Sequence, residues 1–400
     1  MRILIANKYY YPRGGSEIYT IELEQLLSKN GHEVAVFAMQ HQANIHNDYE
    51  SFFPSEMDVN KRDIRSLLKS LIRPFGSREV RRNFKDFIRT FKPQVVHLNN
   101  IHSQLSPALA IIARKEKVPV VWTLHDHKLL CPRYDCIRDD KPCELCFDNR
   151  FNVIRYRCMK NSLLASCLAY FEAIFWNKKL LDKITDVFIT PSLFLMNNMA
   201  KGEYDQKKMK VIPNFIPDSK LSEIGSVKDN YYCYVGRLSK EKGVETLLKA
   251  AAHLPHFRLI VVGTGPLEFQ LKEKYAMENI KFVGFQKWQD LKSILGQAKF
   301  LTIPSECYEN NPLSVIESLC LGTPVLGARI GGIPELINEG INGYTFTSGD
   351  QKDLISKITL MHDGGQKFNY QSIAQQAKEK FCSESYYRQV LNIYKNLHVI

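Results

Sequence analysis

Short apolar runs of strand length alternate with longer helical patterns along the whole chain, and that alternation restricts the architecture before any residue is considered for chemistry. In the first half RILIAN (2–7), VAVFAM (34–39), VVHLNN (95–100), VPVVWTLH (118–125) and VFITPS (187–192) lack the polar alternation of a half-wet strand. They read as parallel strands buried on both faces. In the second half YYCYVG (231–236), RLIVVG (258–263), IKFVGF (280–285), FLTIPS (300–305) and TPVLGA (323–328) repeat the pattern. The expected fold class is therefore α/β, two doubly wound Rossmann-like units. The first covers 1–205, the second 230–380, and 206–229 joins them as a linker marked by Pro213, Pro217 and Gly225. At 400 residues and 44% hydrophobic the chain can fill two cores of ordinary size. Ligands of such sheets bind beyond the carboxyl ends of the strands.

The segment from Ser305 to Val325, SECYENNPLSVIESLCLGTPV, carries the clearest chemistry. Asn311 reads as an N-cap and Pro312 as the first helical residue, so the amides of Leu313, Ser314 and Val315 point out of the helix end unpaired and partly positive. A phosphate suits that end. Glu309 precedes the helix and Glu317 lies a turn and a half inside it, placed to accept from the hydroxyls of whatever carries the phosphate. Two glutamates eight apart mean little alone. Here an apolar run ending in Pro-Ser leads in, and Gly322-Thr323-Pro324 closes the helix before the next run.

This stretch resembles the nucleotide-sugar motif of the retaining glycosyltransferases of family four, which have the GT-B fold. Further matches follow in order: Gly14-Gly15 in YYPRGGSE, His125 in TLHD, Asn214 in IPNF, Gly236-Arg237 and Lys242 in VGRLSKEKG, Gly263 and Gly265 in VVGTGPL, and Gly331-Gly332-Ile333-Pro334-Glu335. The resemblance implies two Rossmann-like domains facing a central cleft, with a C-terminal helix (383–400) crossing back to the acceptor-side domain. It also implies that Glu317 binds the nucleotide ribose and Glu309 the transferred sugar, with Gly284 near the base. The Gly14-Gly15 loop then lies between acceptor and donor phosphate, and His125 meets the donor sugar. The implied donor is a UDP-, GDP- or ADP-sugar.

Transfer from such a donor breaks the anomeric C–O bond and leaves a diphosphate whose growing charge must be neutralised. No Asp-x-Asp pair for a catalytic metal occurs in the sequence. Arg237 and Lys242 supply the charge instead, Arg as a fork and Lys as a point charge, beside the neutral donors at Leu313 and Ser314. No protein general base is assigned, because in the family's front-face mechanism the diphosphate serves. His127 has no comparable support. The catalytic set is then His125, Glu309, Arg237 and Lys242. The donor set is Gly14, Gly15, Gly236, Arg237, Lys242, Gly263, Gly284, Glu309, Asn311, Leu313, Ser314 and Glu317.

Three features of the first half bear on the acceptor. Between Lys61 and Lys92 eleven basic residues face three acids, much of the chain's net charge of +12, and Val80, Phe84, Phe87, Ile88 and Phe91 form an apolar stripe among them. That helix either docks on the core by its stripe or touches anionic lipid. LLASCLAYFEAIFWNKKLL (163–181) is apolar but holds Glu172 and is too short for a span; it shapes an acceptor groove or rests on a bilayer. Five cysteines cluster at 131–158, and Cys131, Cys143, Cys146 and Cys158 are the preferred set for a structural zinc, with Cys136 as the spare.

No signal peptide or run of eighteen apolar residues is seen, which places the chain in the cytoplasm, peripheral on the inner face of the membrane if the basic helix binds there. The acceptor is expected to be a glycan or lipid-linked oligosaccharide in surface polysaccharide synthesis. A rival is a noncatalytic GT-B-like subunit, whose signature is loss of Glu309, Arg237, Lys242 or Glu317. All four are present. The sequence pI near 9.1 does not indicate nucleic acid, since the charge is concentrated in one helix and no recognised module accompanies it.

Overall fold

The computed structural model describes residues 1–57, 70–221, 228–363 and 368–397. Its first unit comprises Met1–Cys136, Cys143–Ile212 and the chain from Tyr387 onward. Four of its strands are β1 (Arg2–Ala6), β2 (Glu33–Phe37), β3 (Val95–Leu98) and β4 (Val120–Thr123). A short antiparallel ribbon, β5 (Ile137–Arg138) and β6 (Lys141–Pro142), groups with the second unit. β7 (Val187–Thr190) and β8 (Met209–Val211) then complete a six-stranded sheet in the order β2-β1-β3-β4-β7-β8. Every pair in it is parallel. The central strands are buried on both faces, as an all-parallel sheet requires.

The second unit, Pro213–Tyr386 with the ribbon, carries β9 (Tyr231–Val235), β10 (Arg258–Val262), β11 (Ile280–Gly284), β12 (Leu301–Ile303), β13 (Val325–Ala328) and β14 (Gly343–Phe346). They form one parallel sheet in the order β11-β10-β9-β12-β13-β14. Alternate side chains of β9 enter different cores: Tyr232 and Tyr234 join Leu247 and Phe300 in one, while Tyr231 and Cys233 join Leu301 and Ile316 in the other. That is the period of two expected of a strand buried on both sides.

Two edge strands escape the sequence reading. β8 falls in the stretch taken as a linker, and β14 (GYTF) follows the last apolar run that was assigned. Both are short, and an edge strand needs apolar side chains only where it meets its neighbour.

Five helices matter below: α1 (Gly15–Lys29), α2 (Arg78–Phe91), α3 (Leu163–Phe175), α4 (Leu313–Cys320) and α5 (Ser383–Asn396). Ser77 caps α2 by accepting from the Val80 amide. Its stripe of Val80, Phe84, Phe87, Ile88 and Phe91 is fully buried, so the stripe seals the core and is not available to a bilayer. Arg73 is buried and paired with Glu79 at 2.9 Å, and Arg81 donates to the carbonyls of Gly76 and Phe75. Arg78, Arg82, Lys85, Arg89 and Lys92 remain exposed; Lys61, Arg62, Arg65 and Lys69 lie outside the described residues.

The buried face of α5 is Tyr386, Val390, Ile393 and Tyr394, with Tyr386 and Ile393 in place of the expected Tyr387 and Leu391. Tyr387 instead shares a hydrogen bond with His32 at 2.9 Å. Deep in the first unit the His97 ring bonds the Tyr394 hydroxyl at 2.5 Å and that of Thr123 at 2.7 Å, tying α5 to β3 and β4.

Candidate active site

In the second sheet the winding reverses between β9 and β12, so the loops leaving these two neighbours part in opposite directions. The first loop supplies Gly236, Arg237 and Lys242; the second supplies Ser305 and Glu309. Lys242 Nζ donates to Glu309 Oε1 at 2.6 Å, and the Ser305 hydroxyl donates to the same oxygen at 2.9 Å. Burial alone lowers the Lys242 pKa, but the Glu309 carboxylate and Cys307 more than offset it and hold the ammonium above its ordinary range. The lysine is therefore charged at any working pH. Arg237 is exposed, and its guanidinium makes no ion pair among the described residues.

Glycine brings these loops close. Gly263 has φ +130, and a Cβ there would strike the carbonyl oxygen of Gly236; its amide donates to Gly284 O at 2.8 Å. Gly284 itself has φ +70, with open space where a Cβ would stand. A Cβ on Gly265 would meet the Leu238 backbone. The strand ends of β9, β10 and β11 thus form one backbone seam, which only residues lacking a side chain permit. Gly331, at φ +60, abuts the Glu309 backbone, and the Gly332 amide donates to Glu309 O at 2.7 Å. The GGIPE motif therefore fixes the loop that carries Glu309.

At α4 the cap differs from expectation. The N-cap is Pro312, without a side-chain cap, and the helix begins at Leu313. Asn311 is engaged elsewhere: its Oδ1 accepts from the Asn214 amide at 2.8 Å and its carbonyl from Asn214 Nδ2 at 2.8 Å. The Val315 amide turns back to Pro312 O at 3.1 Å, leaving Leu313 and Ser314 as the donors at the helix mouth. Glu317 is buried, which raises its pKa, and the Lys220 ammonium, 3.0 Å from Oε1, works against that rise. Lys220 lies 97 residues before its partner, in the stretch taken as linker, and no local motif identifies it.

In the first sheet the winding reverses between β1 and β3. Gly14 is the N-cap of α1 in an extended conformation, and a Cβ there would lie 3.1 Å from Glu17 Oε2; Gly15 faces open space. His125, after β4, bonds Asn99 Oδ1 through Nε2 at 3.0 Å and meets the edge of the Tyr19 ring at 4.8 Å. Burial, aided by the charge of Lys8, lowers its pKa to about 3, so the ring is neutral and acts as a hydrogen-bonding group. Burial lowers the Lys8 pKa and raises that of Asp126. Asn99 Nδ2 is buried without a hydrogen-bond partner. Lys8 and Asn99 are strand-end residues that short motifs do not reveal, while Asp126 stands beside His125 in TLHD with no role read from it.

The expected zinc set is not assembled. The thiols that meet are Cys131, Cys136 and Cys146, with Cys131 sharing hydrogen bonds with the other two, which favours its thiolate. Cys136, taken as the spare, is inside this group, and its carbonyl accepts from the Cys143 amide at 2.7 Å; Cys143 and Cys158 are half-buried and act on Cys146 through charge. Among the described residues no group of three or more His, Cys, Asp or Glu side chains is arranged to hold a metal ion.

Two six-stranded parallel sheets, each with its glycines and charged groups at the carboxyl strand ends, define the GT-B class of α/β fold. The described chain of Anabaena Alr3699/HepE, solved in complex with UDP, superposes with a TM-score of 0.70 at 18% identity, over 99% of this chain and 100% of that one. The model of Glycosyltransferase Family 4 matches residues 13–220, and that of Glycosyl transferases group 1 matches residues 219–380. The chain belongs to glycosyltransferase family four. Among its relatives, the sulfoquinovosyl transferase SQD2 of Arabidopsis thaliana is 26% identical over 312 residues, 74% of this chain and 55% of that protein. An uncharacterized 42.6 kDa protein in the cps region of Klebsiella pneumoniae is 25% identical over 354 residues, 84% of this chain and 87% of that one. The match therefore spans about half the length of the plant relative.

Proposed function

We propose that the protein moves a sugar from a nucleoside-diphosphate donor to a glycan or lipid-linked acceptor in the making of a surface polysaccharide, with retention at the anomeric carbon and no metal at the diphosphate. The observation that carries this reading is the Lys242–Glu309 pair at the reversal point of the second sheet, with Arg237 exposed on the same loop. The two cations take the charge that develops on the departing diphosphate, and the amides of Leu313 and Ser314 add neutral donors. Glu309 hydrogen-bonds the transferred sugar, Glu317 the ribose, and the seam at Gly236, Gly263 and Gly284 lets backbone approach the nucleotide. In the first unit, neutral His125 accepts or donates a hydrogen bond to a sugar hydroxyl, and the Gly14-Gly15 loop approaches the phosphates.

UDP is the first donor base to test, because the Anabaena neighbour was solved with it; the Klebsiella relative from a cps region supports a polysaccharide role. The experiment is release of nucleoside diphosphate from a panel of UDP-, GDP- and ADP-sugars with a crude glycan or lipid-linked acceptor, with and without EDTA. Release that persists in EDTA supports the reading, and NMR of the product reports the anomeric outcome. Absence of release from every donor, with tight nucleotide binding retained, would indicate a noncatalytic subunit.

A further inference from the structure

Helix α3 distributes its side chains opposite to a water-facing helix. Its buried positions are Ser166, Ala169 and Glu172, whereas Leu164 is 83% exposed, Phe171 59% and Phe175 49%. Leu163 and Ile174 are exposed with them. The spacing of Leu164, Phe171 and Phe175 puts these rings and methyls on one side of the helix. The polar interior has a reason: Glu172 accepts from Lys128 at 2.9 Å and from the Ser103 hydroxyl at 2.8 Å. The outer face has none within the unit, so it is an apolar patch of the kind that marks an interaction surface. Leu71 and Ile72 extend it. They lie just ahead of Phe75, whose ring packs on Phe175 at 5.4 Å, and both are exposed.

Charge identifies what covers this face. Arg155, Arg157 and Lys160 are exposed before α3, and Lys179 and Lys183 after it. Between Arg155 and Lys183 the acids are Glu172, buried and paired, and Asp182. An apolar face with a cationic rim complements an anionic lipid surface. A second copy of this chain would oppose the same cations at a net charge of +12. With 13 residues α3 is about 20 Å long, short of the about 30 Å hydrocarbon core, so it lies in the interface and does not cross it. Among the described residues no helix is long and apolar enough to span a membrane.

We propose that the apolar face of α3, with Leu71 and Ile72, seats the protein on an anionic membrane surface, its side chains in the headgroup boundary and its cationic rim on the phosphates. This contact does not use the stripe of α2, which the core has taken, and it does not depend on the transferase reading. The test is flotation of the full chain with phosphatidylcholine vesicles, with and without phosphatidylglycerol. The wild type should float with the anionic vesicles and be released as salt rises. Leu164→Glu/Phe171→Glu should lose at least about tenfold of that binding with an unchanged melting temperature, because both positions are exposed. Arg157→Glu/Lys179→Glu should remove the preference for anionic lipid while leaving the fold intact. Failure of the wild type to float, or full binding by Leu164→Glu/Phe171→Glu, would overturn the proposal. So would a wild-type dimer in solution that the same substitution splits, which would make the face an interface between copies. Calorimetric titration of the same preparations with UDP reads the donor site separately.

Discussion

At the level of single residues, the decisive contacts join groups far apart in sequence. Glu309 and Lys242 were both selected from the sequence, but their 2.6 Å contact follows from the reversal of strand order between β9 and β12, which no short motif states. Removing the ammonium by Lys242→Ala leaves a half-buried carboxylate uncompensated and, on the role proposed for this lysine, the leaving group unneutralised; we expect kcat/KM to fall about 10²–10³-fold. Arg237→Ala should fall similarly with no change in unfolding midpoint, since Arg237 is exposed. Steady-state kinetics beside thermal melts check both. Histidines with lowered pKa values contribute to the acid limb of stability, His102 among them because burial holds its ring well below the ordinary range. Burial lowers His97 and His125 to about 3 and His127 to about 4. The unfolded chain therefore binds protons that the folded chain refuses, and stability is present above pH 6.5 and lost as pH falls below it, towards about 4 for His127 and about 3 for His97 and His125. Each ring contributes up to about 1.4 kcal/mol per pH unit inside its window. Urea midpoints that stay level between pH 7 and 5 would refute this.

Among the elements, the glycine seam is the most constrained. Gly263→Ala combines a left-handed φ of +130 with a collision against Gly236 O, and should cost at least about 2 kcal/mol in urea unfolding while weakening nucleotide binding. Gly15→Ala, facing open space, serves as the control in the same assay. Tyr394→Phe removes the bond to His97 and should lower stability by about 1–2 kcal/mol, read by denaturant midpoint. The buried strands were legible because a doubly covered strand must be apolar throughout, and α2 because its stripe repeats at helical spacing. The cap of α4 was not legible: Asn311 has the chemistry of an N-cap, yet Asn214 claims its side chain from 97 residues away. Among the cysteines, spacing favoured Cys143 and Cys158, while the side-chain hydrogen bonds of Cys131 go to Cys136 and Cys146.

For the molecule as a whole, family and fold were legible from the order of weak motifs along the chain, each falling at a strand end. The apolar stretch at 163–181 was legible as unusual, but its inside-out packing rests on Lys128 and Ser103, partners that periodicity cannot supply. A ligand bound only by the folded state raises its stability, so the correct nucleoside diphosphate at a hundred times its Kd should add about 2.7 kcal/mol, and this increment should shrink in Lys242→Ala. Thermal shift with UDP, GDP and ADP measures it. The ion pair between Lys220 and Glu317 has one more consequence. On the role proposed for Glu317, nucleotide entry at that carboxylate is an exchange in which the lysine gives way, and its Nζ already stands 5.4 Å from the Trp288 ring. The other two tryptophans, Trp122 and Trp176, are buried in the first unit, so a change in intrinsic fluorescence on titrating nucleotide would report the departure of that cation.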